Sequence, residues 1–77
     1  MEIFLLPYAK TNVAYKIIDL CDDIDIKTKT RLLEFGFLKG ETVKVIGKSL
    51  SGGVFLIEIM NTVLTLRLEE ALCVKIM

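Results

Sequence analysis

Residues 31–45, RLLEFGFLKGETVKV, constrain the fold more than any other stretch of the chain. Leu32, Leu33, Phe35 and Phe37 crowd around Gly36, too densely for one helical face. Gly36 suits the position just past a helix end, where the backbone needs a positive φ that a Cβ resists. Gly40 marks a second turn, Leu38-Lys39-Gly40-Glu41. Val43 and Val45 then open a period-two pattern. The stretch therefore predicts a helix, a glycine stop, a tight turn and a strand, in that order.

A chain of 77 residues is expected to form one domain spanning 1–77. With 53% hydrophobic residues it has enough apolar material for a core, and some must remain on the surface. Lys plus Arg and Asp plus Glu each number 10, so the net charge is zero, which argues against a phosphate-binding face. Two cysteines, Cys21 and Cys73, lie far apart and no histidine is present, so the common zinc and iron ligand spacings are missing. The cysteines read as reduced cytosolic thiols. No apolar run approaches the ~20 residues of a membrane helix. MEIFLLPY lacks a basic leader, so no secretory signal is expected and the protein is expected in the cytoplasm.

In chain order, residues 1–12 form an apolar lead-in, with Pro7 arguing against a central strand and residues 10–12 forming a turn. Strands are expected over 13–20, 41–49, 54–60, 63–67 and 72–77. The first has imperfect alternation, implying a bulge near Asp19 or two partly covered faces. Asp23 or Asp25 caps a helix over about residues 26–35. Three close aspartates do not make a calcium loop. At about 100° per residue, Ile26, Leu33 and Phe37 form the expected core face, with Thr30 beside them. Leu32 and Phe35 then project elsewhere as a candidate partner patch, flanked by Arg31 and Lys27. Gly52-Gly53 lacks the lysine and hydroxyl of a phosphate loop and reads as a hairpin loop. Asn61-Thr62 closes the last hairpin, with Asn61 at positive φ. Residues 68–71 form one helical turn. These elements describe a mainly β, small, partly open barrel of five strands with one inserted helix.

The string R-L-L-E-F-G-F-x-x-G-x-x-V-x-V and the later Leu64-Thr65-Leu66-Arg67-Leu68-Glu69-Glu70-Ala71 together resemble the FeoA family, small accessory proteins of bacterial ferrous iron uptake. On that resemblance Gly36, Gly40, Asn61, Glu70 and Ala71 are structural motif positions. The family often has proline where Lys39 stands and glycine where Asn61 stands; both replacements suit turns. The resemblance implies an SH3-like barrel and a non-enzymatic role. It also implies a partner, the membrane ferrous iron permease with a cytoplasmic GTPase domain, FeoB. It implies no cofactor, and a transition metal enters only through the family. The residues themselves support no catalysis, since no nucleophile has a neighbouring base. Two other classes compete: a metal-responsive regulatory domain, weakened by the lack of histidine, and a nucleic-acid-binding barrel, weakened by the zero net charge.

Overall fold

A computed structural model describes residues 2–77. The elements are β1 (Phe4–Leu5), a 3-10 turn (Leu6–Tyr8), β2 (Ala14–Leu20), α1 (Ile26–Glu34), β3 (Thr42–Lys48), β4 (Val54–Ile59), β5 (Thr62–Arg67), α2 (Leu68–Ala71) and β6 (Val74–Ile76). All pairings are antiparallel, and the strand order is β1-β6-β2-β3-β4-β5. Among the described residues there are six strands, one more than expected. The extra one is β1, a two-residue edge strand opposite Lys75 and Ile76. It stops where Pro7 removes a ladder donor and fixes φ for the 3-10 turn. The lead-in does send side chains inward: Leu6 and Ala9 are buried.

The irregular alternation in β2 has a geometric cause. Ala14–Lys16 pair with β3, whereas Ile17–Leu20 pair with β6, and the register slips between Ile17 and Asp19. One strand thus serves two parts of a curling sheet, and the irregularity lets both Ile17 and Leu20 face the interior. A second slip, between Val45 and Gly47, bends β3 against β4. Elsewhere period two decides burial. Val43 and Val45, Phe55, Ile57 and Ile59, Leu66, and Val74 and Ile76 form the core. Short α2 touches the 3-10 turn, β4 and β5, and covers one side of the open sheet.

The β4–β5 hairpin turns through two residues, Met60 and Asn61, with Ile59 opposite Thr62. Both turn residues have positive φ, 50° and 62°, as a hairpin turn matched to strand twist requires. Asn61 is as expected. The turn sits one residue earlier than expected, so Met60 is a turn residue and Thr62 belongs to β5.

Candidate interaction site

The stretch 31–45 folds as a helix stop. Phe35 is the C-cap, and Gly36 follows at φ 100°. The Gly36 N–H donates to the Leu33 carbonyl at 3.0 Å, and the Phe37 N–H to the Leu32 carbonyl at 3.0 Å. That pair of bonds is a Schellman closure, usually joined by a contact between the residues Leu32 and Phe37 occupy. Both are fully buried, 0% and 1% exposed. A Cβ at Gly36 would also meet the sulfur of Met60 from the β4–β5 turn, an exposed and flexible side chain that can move aside, so it is the positive φ that demands glycine. Gly40 has φ 86° with open space beside it. Its N–H donates to the Ile17 carbonyl at 2.8 Å, while the Glu41 N–H closes the turn on Leu38 at 3.1 Å.

This closure rotates α1 away from the expected orientation. Leu32 is core and cannot anchor a partner, and Phe35 is half-buried against the same core. Ile26 and Leu33, expected inside, are 73% and 39% exposed. Phe37 is inside as expected, but it lies beyond the helix end, so the helical angle does not carry from Leu33 to Phe37. The proposed rim also changes. The Arg31 guanidinium sits 5.4 Å from the Phe35 ring centroid and forms an ion pair with Glu70 on α2. The other Glu70 oxygen accepts from the Arg67 N–H at 2.9 Å. Buried Glu70 therefore ties the two sequence motifs together, and Ala71 beside it is fully buried. Lys27 remains exposed.

The exposed apolar face of α1 continues past the helix stop to Leu38, which is 45% exposed. Between this face and the end of β2 lies an open depression of about 250 Å³. Buried Leu20 and Phe37 line it with the exposed Leu33 and Leu38, and Asp19, Asp22, Lys29 and Lys39 supply charge. Asp19 and Lys39 pair across it at 3.6 Å. The Leu20 N–H, and after it Lys39, hold the Asp19 carboxyl below its usual range, so it is charged at neutral pH. The α1 cap is Asp25, whose carboxylate accepts from the Thr28 N–H at 2.9 Å and the Thr28 hydroxyl at 3.0 Å; these bonds lower its pKa. Such a surface can take an apolar side chain with mixed charge at its margin. Its clue in the sequence was the Leu32-Leu33 doublet, two leucines about 100° apart on one short helix.

Among the described residues no three His, Cys, Asp or Glu side chains are placed to hold one metal ion. No helix among them is long and apolar enough to cross a membrane.

The FeoA domain model matches residues 5–77. No curated protein sequence matches the chain. Among solved structures, Stenotrophomonas maltophilia FeoA complexed with zinc superposes with a TM-score of 0.83 at 28% identity, over 96% of this chain and 89% of that one. That protein is described as a prokaryotic SH3 domain protein and a candidate activating factor of ferrous iron transport. A FeoA-like protein from Clostridium acetobutylicum gives a TM-score of 0.86 at 18% identity, over 100% and 87% of the two chains. A manganese-dependent transcriptional repressor shares the fold at 11% identity and a TM-score of 0.87, covering 99% of this chain and 36% of that one. With its SH3-like sheet, its glycine-stopped helix and a match along nearly its whole length, the chain belongs to the FeoA family.

Proposed function

We propose that this protein is a non-enzymatic cytoplasmic accessory factor of ferrous iron uptake, acting by binding the cytoplasmic part of a membrane iron permease that carries a GTPase domain. The description of the Stenotrophomonas maltophilia relative as a candidate activating factor of ferrous iron transport supports a partner in that transport. The observation that carries the binding mode is the apolar face of Ile26, Leu33 and Leu38 beside an open depression. Apolar anchors entering a pocket contribute most of the energy of such contacts. Lys29 and Lys39 line the depression together with Asp19 and Asp22, and Lys27 is exposed next to Ile26, so the margin suits a partner segment bearing charges of both signs around an apolar residue. The earlier pair Leu32 and Phe35 supports this surface from within rather than forming it.

The test is calorimetric titration of the purified permease cytoplasmic domain with the wild-type chain and with the double variant Leu33→Ser, Leu38→Ser. The variant keeps its melting temperature within a few degrees, and its affinity falls by about tenfold or more, about 1.4 kcal/mol. A folded variant that binds as tightly as wild type would overturn the assignment of this face.

A further inference from the structure

Cys21 and Cys73 are 52 positions apart in sequence and neighbours in the fold. The β2–β6 register sets Leu20 opposite Val74, so the next residues of each strand are Cys21 and Cys73. The Cys21 N–H donates to the Cys73 carbonyl at 2.9 Å, extending the ladder one step beyond β6. Directly opposed residues of an antiparallel pair have Cα atoms about 4.5–5.5 Å apart and side chains on one face. That separation falls within the range of about 4.4–6.8 Å that a disulfide spans. The Cys73 thiol donates to the Glu69 carbonyl at 3.4 Å, and burial, then the Cys21 thiol, then Asp23 and Asp25 push its pKa up to about 12. Both residues are half-buried, and each lines a different open depression: Cys21 the one beside Leu33, Cys73 a second one with Asp23, Asp25 and Glu69.

We propose that Cys21 and Cys73 are an oxidation site, closing to a reversible disulfide between the end of β2 and the α2–β6 junction when a peroxide or a small disulfide is present. With a peroxide, the Cys21 thiolate attacks one oxygen, the O–O bond breaks and hydroxide leaves, giving a Cys21 sulfenic acid. The Cys73 sulfur then attacks the Cys21 sulfur as the S–O bond breaks. Hydroxide leaves and takes up the thiol proton, so two thiols and one peroxide yield one disulfide and two waters. The thiolate is the nucleophile in both steps, so Cys73 gives up its proton as it attacks, and its raised pKa makes this second step the slower one. The bond pins the segment leading into α1 against the end of α2, the two elements already joined by Arg31 and Glu70. It encloses about 50 residues, which restricts the unfolded chain considerably.

The full chain, reduced and then exposed to hydrogen peroxide or oxidised glutathione, tests this by intact mass, alkylation of free thiols and thermal melting. The expected product is a monomer lighter by two hydrogen atoms, with both thiols lost together. Its melting temperature rises by about 5 °C or more, and dithiothreitol reverses the change. Cys21→Ser and Cys73→Ser each abolish the product, and alanine variants at the same positions serve if a serine variant does not fold. Stable sulfinic acid, a persistent glutathione adduct, a disulfide between chains, or two thiols that remain alkylatable would each overturn the proposal.

Discussion

Helix α1 and the β4–β5 hairpin solve the same problem with different amounts of information. In the hairpin, Phe55, Ile57, Ile59 and Leu66 face in while Val54, Leu56 and Val63 face out, as strict period two demands. A one-residue slip would invert every side chain, so the register has one answer. In α1, nine residues carry only three large apolar side chains, Ile26, Leu32 and Leu33, and two faces are nearly equivalent. The choice is made outside the helix, where the closure at Gly36 sets Leu32 beneath Phe37. A short helix on a small barrel takes its rotation from its stop signal rather than from its own periodicity.

The largest effect should come from exchanging inside for outside on the helix. Leu32→Ala removes a fully buried side chain and should cost about 2–5 kcal/mol, whereas Leu33→Ala should stay within about 0.5 kcal/mol. Urea unfolding of the two variants checks this, and a reversed order would place Leu33 rather than Leu32 in the core. Gly36→Val should cost more than about 1 kcal/mol, since it forces a β-branched residue to positive φ and against Met60. Gly40→Ala, strained at φ 86° but with no neighbour to meet, should cost less than Gly36→Val, which adds a β-branched side chain at a site where Met60 must also shift. Arg31→Ala leaves buried Glu70 without its cation and should cost about 1–3 kcal/mol. The same unfolding measurement shows whether the two motifs are energetically joined.

Asp25→Ala should have the smallest effect, a modest fall in melting temperature at neutral pH. The pKa of Asp25 is lowered from 3.8 in the fold, so its contribution is present above the unfolded value and is lost as pH falls through the folded one. Melting temperatures of wild type and variant should therefore converge as the buffer is acidified below 3.8. A gap that widens on acidification would show that the carboxylate does not act as the cap.

Much of the barrel was legible because its strands alternate and its turns use residues with known backbone demands. Gly36, Gly40 and Asn61 all stand at positive φ. Three things were not legible, each for a physical reason. Strand β1 is only two residues long and has no alternation to read; it exists because β6 offers it an edge. Met60 gives no sign of its positive φ, since an unbranched apolar residue carries no turn chemistry and the hairpin geometry imposes the conformation. The pairing of Cys21 with Cys73, like that of Arg31 with Glu70, joins residues far apart in the chain, and a single sequence does not encode such contacts locally. The candidate surface was misassigned for the reason α1 was misrotated: Phe37 belongs to the core without belonging to the helix.

With Leu32 turned inward at the Gly36 closure, Ile26, Leu33 and Leu38 are the face proposed to meet the partner. Amide chemical-shift mapping of the isotope-labelled chain, titrated with the cytoplasmic domain of the permease, tests that assignment most directly. The strongest perturbations should fall on Ile26, Lys29, Leu33 and Leu38, with the outer face of β4 and β5 unmoved. Perturbations centred on Val54, Leu56 and Val63 instead, or none at saturating partner, would contradict it.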